Sequence, residues 1–226
     1  AIIRDYKELV RQEIGKELTQ DPKQQLMEAI MAVFRSWDNE RAVLYRQLNN
    51  ISSSLGTAVN VQSMVFGNMG DHSGTGVAFT RNPIDGEIAI FGEFLINAQG
   101  EDVVSGLRTP LPISNMEEFF PEVYREFLRI SKLLEEHFTD MQNIEFTVEK
   151  NKLFLLQSRN AKRTAEAAVR IAVDMEQEGL IDKRTAVTRL RPEQISQLLY
   201  PRFEKSDLRQ AVKLGIGLPA SPGAVT

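Results

Sequence analysis

The residues whose types and spacing speak most directly of chemistry lie late in the chain, in Asn143-Ile-Glu145-Phe-Thr147-Val-Glu149-Lys-Asn151-Lys-Leu153-Phe-Leu155-Leu-Gln157-Ser-Arg159. Ile144, Phe146 and Val148 alternate with polar residues, the period of a strand with one buried face. A three-residue loop, Lys150-Asn151-Lys152, is expected to close a hairpin, because Asn tolerates the left-handed backbone such connections need. That loop sets Glu145 opposite Gln157 and Asn143 opposite Arg159, with Ile144, Phe146, Val148, Phe154 and Leu156 on the other face. Leu153 and Leu155 then share the polar face nearer the turn. A two-residue loop would set Glu145 against Leu156 and scatter the polar groups, so the longer loop is preferred. A carboxylate beside a carboxamide oxygen offers hard ligands to Mg²⁺, leaving phosphates and water to complete the shell. A neighbouring Arg can neutralise phosphate charge as it moves between donor and acceptor. The ordinary alternative is a solvated sheet face carrying a cross-strand polar pair.

A second candidate is the run holding Gly67, Gly70, Gly74 and Gly76. Glycines let backbone N–H groups approach an anion, and Ser73 and Thr75 add hydroxyl donors. No Gly-Lys-Ser/Thr closes the run, so it is not a Walker A loop. A strand rather than a helix follows, so it is not the dinucleotide fingerprint either. The alternative is a long flexible hairpin loop. Arg81, just beyond, reads as a phosphate partner or a surface charge.

These side chains need elements to hold them. Asp21-Pro22-Lys23-Gln24 supplies a helix start, and Leu26, Ile30, Val33, Phe34 and Trp37 follow at helical spacing. Asp38 or Asn39 can cap a second helix. Val59, Val61 and Val65 alternate with Asn60, Gln62 and Met64, which predicts a strand. Short β-rich runs at 77–80 and 87–96 are separated by the turn signals Asn82-Pro83 and Asp85-Gly86. Residues 114–138 read as one helix with Phe120, Val123, Tyr124, Phe127, Leu128, Leu134 and Phe138 on one side. Beyond Arg163 the pattern predicts helices over 164–178, 182–190 and 192–200, with Gly179 closing the first. The fold expected is α+β: a mixed or antiparallel sheet with packed helices on one side, followed by a helical linker.

Composition narrows the function classes. A hydrophobic fraction of 42% with 26% charged residues is that of an ordinary globular chain with enough apolar residues for a core. Net charge of −4 gives no basic face for nucleic acid. The absence of cysteine removes disulfides, thiolate metal sites and thiol nucleophiles, and it fits a reducing compartment such as the cytoplasm. Apolar runs are too short for a membrane-spanning helix. The chain starts at Ala1 without a signal-peptide layout and stops in a Gly/Pro-rich stretch, so both ends read as cuts through a longer protein.

Long strings of the sequence resemble the pyruvate, phosphate dikinase family. They are Val33-Phe-Arg-Ser-Trp37-Asp-Asn39, Ser73-Gly-Thr75-Gly-Val77-Ala-Phe79-Thr-Arg81-Asn-Pro83, Ile96-Asn-Ala-Gln99-Gly-Glu101-Asp-Val-Val104, the hairpin, and Leu218-Pro-Ala-Ser-Pro-Gly223. The resemblance implies an ATP-grasp-like nucleotide domain within an enzyme that converts ATP, phosphate and pyruvate to AMP, pyrophosphate and phosphoenolpyruvate. A histidine on a swivelling domain carries the phosphoryl group between two remote sites in that family. By the same resemblance, Glu145 and Gln157 are the Mg²⁺ ligands, Arg159 is the catalytic phosphate-facing Arg, and Thr75 and Gly76, with Ser73 and Gly74, belong to the loop over the phosphates. Glu101 resembles the acidic nucleotide-site residue that meets the ribose or the adjoining wall, and Met64 and Val65 lie where the adenine pocket is lined. The family carries Asp where this chain has Asn143, which keeps an oxygen ligand and loses a charge.

The resemblance further implies a division into 1–20, a helical segment of a preceding subdomain, 21–162, the larger ATP-grasp subdomain, 163–203, a helical linker, and 204–226, a hinge toward the phosphohistidine domain. Its partners would be the remaining domains of the same protein, ATP, phosphate and pyrophosphate, in a cytoplasmic homodimer, with no nucleic acid and no membrane. The fragment by itself is expected to be inactive, and neither His72 nor His137 fits the carrier histidine. Phosphoenolpyruvate synthases and glucan-phosphorylating dikinases are the nearest alternatives, and a binding or interaction module without catalysis is the alternative from another class.

Overall fold

The computed structural model describes residues 2–17, 19–105, 108–199 and 212. These fall into two compact units, residues 1–63 and 64–226. The boundary lies inside the 21–162 stretch that the family resemblance implied as one subdomain.

The first unit is helical: α1 (Ile2–Ile14), α2 (Pro22–Ser36), α3 (Glu40–Leu48) and a 3₁₀ turn at Ser53–Leu55. Asp21 caps α2 as expected, its carboxylate accepting from the Lys23 N–H at 3.1 Å, with Pro22 in the first turn. Arg46 is the buried side chain of α3; its guanidinium lies 3.9 Å from the Trp37 ring centroid and donates to the Trp37 carbonyl at 2.6 Å. Among the described residues of this unit no apolar side chain is buried. The strand predicted over 59–65 does not form: residues 56–66 carry no strand, and Val61 and Met64 are well exposed. Alternation selects a face, but a strand exists only against a partner edge, and none of the sheet's ladders includes this run.

The second unit is built on a five-stranded antiparallel sheet. In chain order its elements are β1 (Gly74–Phe79), β2 (Phe91–Ile96), α4 (Gly100–Ser105), β3 (Leu111–Pro112), α5 (Met116–Phe119), α6 (Pro121–Phe138), β4 (Gln142–Glu149), β5 (Lys152–Asn160), α7 (Ala165–Gln177), α8 (Lys183–Thr188) and α9 (Pro192–Leu198). Strand order is β3-β2-β1-β4-β5, which puts β1 at the centre. The 114–138 helix is interrupted, since Pro121 cannot continue a preceding turn and instead opens α6, with Phe120 extended before it.

One sheet face buries Ala78, Phe94, Ile144, Phe146 and Val148 against Met116, Phe120, Val123 and Phe127. The Phe127 and Phe146 ring centroids lie 4.7 Å apart with the planes tilted by 44°. Gly76 sits under that contact: a Cβ there would lie 2.6 Å from the Phe146 ring and from the Glu93 carbonyl. A second cluster packs α7 through Ala167, Ile171 and Met175 against Met141, Ala161 and Phe79. Phe79 points, by strand parity, away from the first core. Helices therefore meet the sheet from more than the single side expected.

A charged cluster ties these layers together. Arg81 is fully buried and forms paired hydrogen bonds of 2.7–3.0 Å with Glu135 of α6 and Glu178 at the end of α7. Arg81 is thus neither the phosphate partner nor the surface charge that its position suggested. The helices beyond Arg163 start where expected, capped by Thr164 and Asp182. The 204–226 hinge lies outside the described residues, apart from Val212.

Candidate functional site

The hairpin reaches its expected pairing by an unexpected route. Lys150 and Asn151 both have positive φ, 50° and 62°, so the connection is a two-residue left-handed turn that pairs Glu149 with Lys152. That turn alone would misalign the polar groups. Leu156 corrects it: Phe146 pairs with Leu155 and Glu145 with Gln157, leaving Leu156 as the extra residue of a β-bulge. Glu145 and Gln157 therefore lie opposite each other, as do Asn143 and Arg159. The bulge also reverses the inner half of the strand. Leu153 pairs with Val148 and packs on the first core rather than sharing the polar face, and Leu156 is 42% exposed rather than buried.

Register carries the site across the sheet. Val77 of β1 pairs with Glu145 on one side and Glu93 of β2 on the other. Glu93, Val77, Glu145 and Gln157 thus form one row across four strands, on the face away from Phe94 and Ile144. Adjacent strands lie about 4.8 Å apart, so the two carboxylates start from backbones about 10 Å apart. Glu93 escaped the sequence reading because the signal is its register against Val77, which no local pattern reveals. Arg159 Nη2 stands 3.5 Å from Glu145 Oε1, with the Arg side chain 57% exposed. Asn143 is buried, and its Oδ1 has no hydrogen-bond partner.

The glycine run divides into a loop and a strand. Gly67 and Gly70 lie in the loop, but Gly74, Thr75 and Gly76 belong to β1, paired on both sides. Their amides serve the ladder, and an added Cβ at Gly74 would lie 2.6 Å from the Leu95 carbonyl. The Thr75 hydroxyl donates to the Phe146 carbonyl at 3.0 Å. Ser73 is fully buried, its hydroxyl accepting from the Lys150 N–H at 3.0 Å. The loop is strapped rather than free: Gly70 N–H donates to Asn97 Oδ1 at 3.1 Å and Asn151 N–H to the His72 carbonyl at 2.8 Å. Met64 is exposed and Val65 half-buried where the chain enters this loop, and Glu101 is exposed in the first turn of α4. The structure therefore gathers Asn143, Glu145, Gln157 and Arg159, adds Glu93, and sets Ser73, Gly74, Thr75 and Gly76 into the supporting framework.

The strongest electrostatic perturbation lies elsewhere. Burial alone would lower the Arg81 pKa, but hydrogen bonds and charge from Glu178 and Glu135 outweigh it and raise the value further above the ordinary range. Among the described residues no three His, Cys, Asp or Glu side chains converge to hold a metal. The donor set at Glu145 suits a hard cation taking few protein oxygens and the rest of its shell from phosphate and water. The buried, unpartnered Asn143 Oδ1 fits that reading, since orphaned buried acceptors are uncommon.

Residues 16–115 and 112–180 match the family model described as pyruvate phosphate dikinase, AMP/ATP-binding domain. The chain is 55% identical over 219 residues to pyruvate, phosphate dikinase of Clostridium symbiosum, covering 97% of the chain and 25% of that protein. It is 55% identical over 230 residues to the Rickettsia prowazekii protein of that name, covering all of the chain and 26% of the relative. Against the chloroplastic pyruvate, phosphate dikinase of Flaveria pringlei it is 53% identical over 223 residues, 99% of the chain and 23% of the relative. The chain spans about a quarter of the length of these curated relatives.

Proposed function

The chain belongs to the pyruvate, phosphate dikinase family, and we propose that it forms the part of the nucleotide-binding domain that holds Mg·ATP for phosphoryl transfer. The carrier histidine would lie in another domain of the same protein, and the whole enzyme would convert ATP, phosphate and pyruvate to AMP, pyrophosphate and phosphoenolpyruvate. The observation that carries this reading is the open polar row of Glu93, Glu145 and Gln157 with Arg159 beside it, on a face whose reverse is the hydrophobic core.

Position supports the roles of the row residues, and the family resemblance those of Met64, Val65 and Glu101. Glu145 and Gln157 present a carboxylate and a carbonyl oxygen across one strand pair, and Asn143 Oδ1 lies one step along the same face. Glu145, Gln157 and Asn143 would hold Mg²⁺ there, and the cation would supply charge neutralisation to the phosphates. Arg159 is held near Glu145 without being enclosed, so its guanidinium is free to meet phosphate oxygens in a charge-assisted fork. Glu93 would orient water or the cation from the far side of Val77. Met64 and Val65 would line the base, and Glu101 the ribose. Ser73, Gly74, Thr75 and Gly76 would contribute by fixing β1 under the row rather than by cradling phosphate with free amides.

Full-length protein carrying Glu145→Ala tests this. The expected outcome is collapse of the ATP- and phosphate-dependent half-reaction while phosphoenolpyruvate/pyruvate exchange at the remote site survives. Retention of both half-reactions would overturn the assignment of the row.

A further inference from the structure

We propose that Gln99 is a positioning residue for the nucleotide site, setting the backbone of residues 64–67 without touching the ligand; this rests on the reading above. Residues 64–67 join no strand, yet side chains from elsewhere bond their backbone. The Gly67 N–H donates to Gln99 Oε1 at 2.9 Å, and Gln99 Nε2 donates over a longer 3.5 Å to the Val65 carbonyl. One carboxamide thus spans the C=O of one residue and the N–H of the residue two further on. That is the pattern one residue's N–H and C=O make in a parallel ladder. Gln99 acts as a strand partner on a stalk.

The stalk itself is fixed. Gln99 N–H donates to Asp102 Oδ2 at 2.8 Å at the start of α4, and Ala98 N–H donates to the Gly67 carbonyl at 2.9 Å. A Cβ at Gly67 would lie 2.2 Å from the Ala98 carbonyl oxygen, so only glycine permits this approach. On its other side the segment is pinned by the Phe66 N–H, which donates to Glu149 Oε2 at 2.7 Å.

Glu149 shows why the segment matters. It shares a strand and a face with Glu145, four residues away, about 13 Å at the usual strand rise. Phe66 therefore meets a carboxylate of that face about as far from Glu145 as the base of an extended nucleotide lies from its terminal phosphates. Met64 and Phe66 are 69% and 41% exposed there and offer apolar surface to a planar ring. Losing the Gln99 carboxamide frees that surface to move while leaving the metal row intact.

The test compares Gln99→Leu and Gln99→Glu in the full-length protein, with Glu145→Ala alongside. Gln99→Leu is expected to raise KM for ATP about tenfold, as loss of a side-chain amide hydrogen bond can, with kcat changed less than about twofold and faster hydrogen exchange over residues 64–70. Gln99→Glu keeps the acceptor for Gly67 and loses the donor to Val65, so its KM should fall between wild type and Gln99→Leu. An unchanged KM in both variants, or a kcat loss that tracks melting temperature, overturns the positioning role. If Glu145→Ala abolishes the ATP half-reaction and the Gln99 variants leave KM alone, only this inference fails. If Glu145→Ala is fully active, the site reading fails and takes this inference with it.

Discussion

Two arginines, one just past β1 and one on β5, have opposite surroundings. Arg81 is fully buried between two carboxylates, with Thr80 also donating to Glu135 at 2.6 Å. Arg159 stands mostly in solvent beside one carboxylate at 3.5 Å. A guanidinium whose three nitrogens are all engaged by the fold holds helices to a sheet and can do little else. One with spare donors on an open face costs the fold little and remains available to an anion. Arg159 read in sequence as a phosphate partner, and Arg81 as a phosphate partner or a surface charge; burial and partner number separate them.

That contrast can be broken from either side. The largest effect is expected from Arg159→Met, which should cut the ATP-side half-reaction by about 10²–10³-fold, the usual cost of removing a donor aimed at transition-state charge. Its melting temperature should hardly move, because exposed ion pairs contribute about 0–1 kcal/mol. Kinetics and calorimetry on one preparation would check both. Arg81→Met should do the reverse. Two carboxylates left without their cation, Glu135 nearly buried and Glu178 partly wetted, should cost about 2–4 kcal/mol by denaturant titration, with nucleotide binding retained by the folded fraction.

Gly76→Ala probes the sheet between these regions. Its Cβ would meet the Phe146 ring and the Glu93 carbonyl, so a loss of about 1–3 kcal/mol is expected by denaturant titration. The smallest effect should come from Asn143→Asp. It adds a charge to a buried oxygen already lacking a partner, and Mn²⁺ titration should find roughly tenfold tighter binding in the presence of nucleotide.

Much of the α+β plan was legible because it rests on local chemistry. The Asp21 cap, the alternation through Ile144, Phe146 and Val148, and the helix beginning after Thr164 all signal themselves within a few residues. The site was legible in part for a less secure reason. The pairing of Glu145 with Gln157 was anticipated from a three-residue loop, whereas a two-residue turn and a bulge at Leu156 produce it. A bulge depends on packing of the whole strand and leaves little local trace. Glu93 and Gln99 were missed because their significance lies in partners dozens of residues away. The 59–65 alternation misled for the same reason, since it promised a strand without any means of naming its neighbour.

The central claim is that the cation and phosphates sit over the row on β4 and β5. The direct measurement is a crystal structure of the full-length protein with Mn²⁺ and a non-hydrolysable ATP analogue, using anomalous scattering to locate the metal. The account predicts an anomalous peak about 2.0–2.3 Å from an oxygen of Glu145 and of Gln157, with Arg159 on a phosphate. A metal bound to nucleotide elsewhere, with Glu145 still paired only to Arg159, would contradict it.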